Sequence, residues 1–395
     1  MLALRLARGS HPLVLLRRLL VAAASAGVGF LLLCALSNAA AHPAHAGAAV
    51  PRLLWCLVPL AATVQFAVAV ARTDPSTRPR TGLSAVGLGP ARLAVLGAVS
   101  TAVSCTLGST VALLLFLHLR GDLSGLPFDG AAAGLLGAGA PLPLAAALML
   151  LALVPVTAAG LSAYALRAER TPAPAVPEAA DPDVLTEPEP SAPAAPPTGL
   201  PWGVALAALG LAVEAYMSRS GGRSLLPLPG RLEATPAGVL AGWTLAAVGL
   251  AMAGPGLAHL CGRLLQAVRP GAVRLLAGRV LMDEARRIGR PLGVVCAVLA
   301  ATVAGYALYG AGAHPLGPLT ALGGVLVLGC TTATLLTSAL EARQDRARTA
   351  RALLRLGAPA SALRAATVLR ATALLLVFAP LTWLVAELAA LPLAA

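Results

Sequence analysis

Arginine side chains recur in two similar segments of this chain, 270 positions apart. Residues 61–93 and 331–363 align without a gap, and in each an apolar stretch ends, an Arg-rich stretch follows and the next apolar stretch begins. Guanidinium groups bind lipid headgroups and the acidic groups of partner proteins. We therefore predict two basic loops that contact the membrane surface or a partner, although the arginines could also serve only to anchor the topology. The aligned pairs are Arg78 with Arg348, Leu83 with Leu353, Gly87 with Gly357, and Leu93 with Leu363.

Within the second segment, Arg348, Arg351 and Arg355 follow near-helical spacing with leucines between them. Residues three or four apart lie on one face of a helix. The spacing therefore predicts a short helix that lies along the membrane surface, with its arginines toward headgroups or a partner.

Most other chemistry is missing from the sequence. All 29 basic residues are arginine, so the chain has neither the lysine of a phosphate-binding P-loop nor a Schiff-base lysine. Its six cysteines form no CxxC pair, and two histidines, His42 and His45, make only a weak metal site. We expect no enzymatic activity, no catalytic residues, no bound metal and no cofactor.

Long apolar runs dominate the chain, which is 58% hydrophobic and 11% charged, with a mean hydropathy of +0.83. Runs of about 20 apolar residues predict membrane-spanning helices, since in lipid each segment must satisfy its own backbone groups. We predict an all-α polytopic membrane protein with about nine (9–10) transmembrane helices and no large extracellular domain. The predicted spans are 19–40, 53–71, 93–118, 141–166, 201–217, 237–262, 291–311, 318–340 and 371–391.

Charge distribution predicts the orientation. With the N-terminus inside, 24 of the 29 arginines fall in cytoplasmic segments, as the positive-inside rule requires. The net charge of +13 therefore reflects topology and does not indicate nucleic-acid binding. We predict a multi-pass protein of the cell (inner) membrane with a cytoplasmic N-terminus and an external C-terminus, although a tenth span would reverse the latter.

Few ionisable residues lie in the predicted spans. Glu214 and Glu387 are near span ends, where we expect water to solvate them, and His118 and His259 are also near span ends. No series of Asp, Glu or His crosses the membrane, and proton-coupled transporters use such a series. The sequence therefore disfavours a secondary transporter.

Four segments follow from this pattern. Residues 1–167 form a first unit with four spans, 168–200 a Pro- and acid-rich linker, 201–262 two intervening spans, and 263–395 a second unit with three spans. Basic amphipathic stretches, 1–18 and 270–290, precede the first span of each unit, and we predict that the second is an interfacial helix. An even number of spans separates the units, so the repeat is predicted to be parallel.

The string EARQDRARTARALLRLGAPASALR at 341–364 resembles the cytoplasmic loop of FtsX-like (MacB-type) ABC transporter permeases. Leu354, Arg355 and Ala358 match the family pattern together with Leu353, Leu356 and Gly357, while Leu83, Val86 and Gly87 match it more loosely. The stretch RLLAGRVLMDEARRIGRP is similar to the family's amphipathic helix before its first span. Family members usually carry a large external domain, for which this sequence has no room.

This resemblance implies two parallel FtsX-like units whose basic loops dock on a separate cytoplasmic ABC ATPase, itself a dimer. ATP hydrolysis by that subunit would drive export or extraction of a lipophilic or peptide substrate. The alternatives are a non-transporting scaffold or regulator derived from such a permease and a secondary transporter. The expected partners are the ATPase and membrane lipid, without nucleic acid. The implied coupling residues are Arg78, Arg80, Leu83 and Gly87 in the first loop, and Arg348, Arg351, Leu353, Leu356 and Gly357 in the second.

Overall fold

A computed structural model describes residues 12–42, 49–74, 90–123, 129–134, 136–138, 140–168, 197–219, 237–267, 271–310 and 317–394, to which the following account refers. Nine helices in these residues are long and apolar enough to cross a membrane. The prediction of an all-α polytopic membrane protein is therefore confirmed. The helices are α1 (Pro12–Ala41), α2 (Ala49–Thr73), α3 (Pro90–Arg120), α4 (Leu144–Ala168), α5 (Gly199–Arg219), α6 (Ala237–Gln266), α7 (Ala272–Gly310), α8 (Pro318–Arg355) and α9 (Ala360–Ala394).

Large apolar side chains cover the outward faces of these helices. Val103 on α3, Met149 on α4 and Leu376 on α9 are 64%, 80% and 70% exposed, and many other large apolar side chains on these helices are exposed too. Contiguous apolar surface of this extent marks contact with a membrane or with another protein. Because it follows helices of transmembrane length, these faces are suited to lipid.

Packing divides the helices into two bundles joined by α8. Helices α1–α4 form the first bundle, in which α1 contacts α2, α3 and α4. Helices α5, α6, α7 and α9 form the second bundle, in which α6 packs along both α5 and α7. Helix α8 contacts α1 and α2 of the first bundle and α7 of the second, so within the described residues it makes the main contact between the two bundles.

Helices α2 and α8 run parallel where they meet. Gly323 lies against the indole of Trp55, and about two turns farther along both helices Thr63 Oγ1 lies 3.5 Å from Cys330 Sγ. Their last residues, Thr73 and Arg355, therefore lie toward the same end of the molecule. We call this the Arg-rich end: α1, α7 and α9 begin there, and α2 and α8 end there.

Three helices extend more than ten residues beyond the predicted spans. The predicted interfacial helix at 270–290 is wrong, because α7 continues without a break from Ala272 through Pro291 to Gly310. The short surface helix predicted in the second loop is also wrong, because α8 continues to Arg355. Residues 341–355 are mostly Ala, Arg, Leu, Glu and Gln, which favour helix, and the next glycine is Gly357. Helix α9 likewise begins at Ala360, ahead of its predicted span.

Glycines bring α5, α6 and α7 into backbone contact. A Cβ atom on Gly210 of α5 would lie 2.5 Å from Ala246 N and 2.6 Å from Gly242 O of α6, and Gly249 and Gly203 are equally close. On another face of α6, Gly262 meets Gly278 of α7. Small residues at such positions let membrane helices associate through close van der Waals contact. The second bundle is thus built on three helices whose backbones touch.

Glu214 is fully buried between α5 and α6, which corrects the expectation that water solvates it. Its Oε1 accepts a hydrogen bond of 2.6 Å from Trp243 Nε1, while Oε2 has no partner among the described residues. Because residue 242 of α6 is glycine, α6 can approach the Glu214 side chain closely. A Cβ atom added to Gly242 would lie only 3.0 Å from the Cβ of Glu214. Tight helix packing therefore removes this carboxyl from water although it lies near the end of its helix.

Candidate coupling surface at the Arg-rich end

A sharp turn joins α8 to α9 at the Arg-rich end. The N–H groups of Leu356, Gly357 and Ala358 donate to the carbonyl groups of Ala352, Leu354 and Leu353 at 3.0–3.1 Å, which closes the end of α8. Gly357 has φ +90°, a backbone conformation that residues with a Cβ rarely adopt. Only residues 356–359 separate the two helices, and these three hydrogen bonds lie at the start of that short connection.

The predicted coupling residues of the second loop meet at this turn, which we call the α8–α9 corner (residues 348–359). Leu356 is 84% exposed and Arg351 is exposed, with its Nε donating to Ala347 O at 3.0 Å. Leu353 is half-buried, and Arg348 lies in α8, its side chain being outside the described part. An exposed leucine beside exposed arginines is a surface that a protein with apolar and acidic groups can bind. The predicted residues of the first loop, Arg78, Arg80, Leu83 and Gly87, lie outside the described residues.

Two ion pairs fasten α8 to α7 less than one turn before the corner. Arg287 Nη1 lies 2.5 Å from Asp345 Oδ2, and Arg346 Nε lies 2.9 Å from Glu284 Oε1. These four residues form the α7–α8 clamp. Because Asp345 and Arg346 are adjacent and bind opposite charges on α7, rotation of α8 would break both pairs. The clamp therefore fixes the direction in which the end of α8 projects.

A similar arrangement holds the end of α2. Arg18 Nη2 lies 2.5 Å from Asp74 Oδ2, and Arg17 Nη1 donates to Thr73 Oγ1 at 3.2 Å. These four residues form the α1–α2 clamp. In the register of the sequence repeat, Arg17 corresponds to Arg287, so equivalent parts of the two units carry an arginine that binds the end of the following helix. Each basic loop thus begins at a helix end that is tied to its neighbour.

Sequence reasoning missed both clamps. It placed the basic stretches 1–18 and 270–290, which contain these arginines, before spans, but assigned the arginines no partners. The available signal was the position of Asp74, Asp345 and Glu284, which are among the few acids in otherwise Arg-rich segments. Interaction across 56–62 positions cannot be derived from local spacing, because it depends on which helices pack together.

We expect the two clamps to differ in strength because their burial differs. Asp74 is 9% exposed, whereas Asp345 is 46% exposed. Removing one partner of a buried pair leaves a charge without compensation, whereas exposed pairs contribute about 0–1 kcal/mol. Asp74→Ala should lower the free energy of unfolding by about 2 kcal/mol, and Asp345→Ala by less than about 1 kcal/mol. Thermal unfolding in detergent measures both.

Asp283→Ala serves as the control for this comparison, since Asp283 is exposed at the same end of the molecule. It should change the unfolding free energy by at most about 0.5 kcal/mol. Equal losses in the Asp74 and Asp345 variants would show that burial does not set the strength of the clamps.

Comparison with protein-family models, with curated proteins and with solved structures finds no match for this chain.

Proposed function

We propose that this chain is the permease subunit of an ABC-type transporter and that a separate dimeric ATPase docks at its Arg-rich end. One observation carries the proposal. Helix α8 runs unbroken from its contact with Thr63 of α2 to the exposed α8–α9 corner. From Cys330 to Arg355 this is about 38 Å at the helical rise of 1.5 Å per residue. A continuous helix of that length can carry a displacement at the corner to the interface between the bundles.

Mechanical coupling follows from how α8 is held. The α7–α8 clamp ties its end to the second bundle, while Trp55 and Thr63 contact its first half from the first bundle. Closure of an ATPase dimer would pull the two basic loops toward each other. The pull at the corner would then move α7 with α8, and the pull at the first loop would move α1 with α2 through the α1–α2 clamp.

A separate ATPase subunit is part of the proposal because the chain has no lysine. The P-loop of ABC-type ATPases uses a lysine to hold the nucleotide phosphates. In this proposal the ATP-hydrolysing subunit is therefore another polypeptide. Arg351 and Leu356 are exposed and can provide it with a charged and an apolar contact. We assign this chain the role of coupling and passage, without catalysis.

Orientation and substrate belong to the same proposal. The positive-inside rule puts the Arg-rich end in the cytoplasm, where ATP is available, and hence the chain in a cell membrane. The resemblance to FtsX-like permeases implies export or extraction of a lipophilic molecule or a peptide. The exposed apolar faces of α3 and α4 are compatible with a substrate that enters from the lipid.

Purification of the full chain from its own cells in mild detergent tests the proposal. We expect a nucleotide-binding subunit to co-purify and to hydrolyse ATP at a rate that depends on this chain. A co-purified ATPase that hydrolyses ATP at the same rate with and without this chain would favour the scaffold alternative. Ion-gradient-driven transport by the chain alone would favour the secondary transporter.

A further inference from the structure

A cleft opens between α1, α2 and α3 near the Arg-rich end, beside the α1–α2 clamp. Its empty space of about 290 Å³ includes the open region at its mouth, where a ligand can approach Arg18 and Asp74. Arg18, Asp74, Ser100 and Ser104 line its polar part, and apolar residues such as Val21 and Val70 line the rest. We propose that this cleft binds the phosphate group of a membrane-lipid headgroup. The proposal does not depend on an ATPase partner.

Arg18 provides the main reason. Its Nη2 is held by Asp74, but its Nε is buried and has no hydrogen-bond partner among the described residues. A guanidinium carries five N–H donors and no acceptor, and a buried donor without an acceptor is costly. Phosphate oxygens are strong acceptors that arginine binds with short, charge-assisted hydrogen bonds. An oxygen atom of a ligand in the cleft would supply the hydrogen-bond acceptor that Arg18 Nε lacks among the described residues.

The charges around the cleft favour an anion despite the carboxylate of Asp74. That carboxylate is already paired with Arg18. Arg17 lies next to Arg18, and Arg72 and Arg92 are exposed near the ends of α2 and α3 that border the cleft. Four arginines against one aspartate leave the neighbourhood positive. An anionic group is therefore drawn to this position.

The second unit differs at the equivalent place. In the register of the repeat, Ser100 corresponds to Arg370 of α9. Arg370 is partly buried and interacts electrostatically with Glu284 and Arg346. The second unit therefore supplies both an additional cation and an anion from its own chain. The first unit has only a small hydroxyl there, which leaves space for an anion from outside.

A lipid is favoured over a soluble phosphate by the position of the cleft. It lies where α1 begins and α2 ends, which is the depth at which lipid headgroups meet membrane-spanning helices. Its apolar wall, which includes Val21 and Val70, suits the glycerol and first acyl carbons next to a phosphate. The cleft is therefore suited to a headgroup, while the acyl chains remain in the bilayer.

The test uses the purified full chain in detergent and follows its thermal unfolding with three probes: dioctanoyl phosphatidylglycerol, dioctanoylglycerol, which lacks the phosphate, and inorganic phosphate. We expect saturable stabilisation by dioctanoyl phosphatidylglycerol alone. Ser104→Leu, which fills the cleft but keeps the α1–α2 clamp, should raise its apparent Kd at least about tenfold. Thr106→Leu on the exposed face of α3 is the matched control and should leave the Kd unchanged.

Ser100→Leu provides a second variant in case Ser104→Leu does not fold, and the same loss of affinity is expected. Equal stabilisation by dioctanoylglycerol would overturn the role of the phosphate. Equal stabilisation by inorganic phosphate would overturn the assignment to a lipid. Wild-type affinity in a folded Ser100→Leu or Ser104→Leu variant would overturn the assignment to this cleft.

Discussion

Reversing the charges of Arg348 and Arg351 together is expected to abolish co-purification of the ATPase subunit. Arg351 is exposed at the α8–α9 corner beside Leu356, where the proposed partner docks. Breaking a close charge pair across an interface costs at least about 2 kcal/mol, which corresponds to roughly a thirtyfold loss of affinity. The amount of ATPase recovered per mole of permease, after purification in mild detergent, measures the effect.

Arg274→Glu with Arg279→Glu is the matched control, because it makes the same charge change on exposed positions of α7 at the same end. Recovery of the ATPase should stay within about twofold of wild type. Reversal of Arg78 and Arg80 in the first loop should cause a smaller loss, since the prolines at 75, 79 and 90 interrupt helical spacing there. Undiminished recovery in the Arg348 and Arg351 variant would contradict docking at the corner.

Replacing Gly210 with alanine is expected to destabilise the second bundle by about 3 kcal/mol. The added Cβ would lie 2.5 Å from Ala246 N and 2.6 Å from Gly242 O, so a methyl group meets backbone atoms that no side-chain rotation can move. Overpacking of this kind typically costs about 1–3 kcal/mol. We expect a cost near the upper end of this range because the added methyl group would contact backbone atoms. The midpoint of thermal unfolding in detergent should fall accordingly.

Gly160→Ala on α4 is the control for this substitution. No atom of the described residues lies within 4 Å of a Cβ added there. Alanine in a helix is more favourable than glycine by about 0.5–1 kcal/mol, so this variant should be as stable as wild type or slightly more stable. Equal destabilisation of both variants would show that the close approach of α5 and α6 does not govern stability.

Membrane-spanning helices could be predicted from the sequence because their signal is local. Each predicted span overlaps one helix of the structure almost completely, as the run at 201–217 does in α5. Hydrophobic length alone determines whether a segment can cross a bilayer. The contact of α2 with α8, in contrast, joins residues more than 260 positions apart, and nothing local specifies it.

Helix ends were predicted less well because the apolar run of a segment can end several turns before its helix ends. The charged residues at 341–355 end the apolar run of α8 but favour helical structure, so the helix extends to the turn at Gly357. The same holds for 272–290 at the start of α7. Helical propensity and hydropathy are separate signals, and the position of the proposed coupling surface depends on helical propensity.

Polar side chains inside the fold were the least predictable part. Glu214 is two residues from Tyr216 and five from the end of α5, a position that suggests contact with water. Its burial depends on Gly242 and Trp243 of α6, which the sequence does not connect with it. The partners of Arg18 and Arg287 were missed for the same reason.

Site-specific crosslinking from the α8–α9 corner tests the proposed function most directly. All six native cysteines are buried, so Leu356→Cys adds one accessible thiol at a position that is 84% exposed in the native chain. A bifunctional thiol-reactive crosslinker should join residue 356 to a nucleotide-binding ATPase in native membranes, with a yield that changes when ATP is added. Val325→Cys, which is exposed on the membrane-spanning part of α8, should give no such product. Absence of an ATPase from the 356 adducts, or its equal capture from residue 325, would contradict the permease function proposed for this chain.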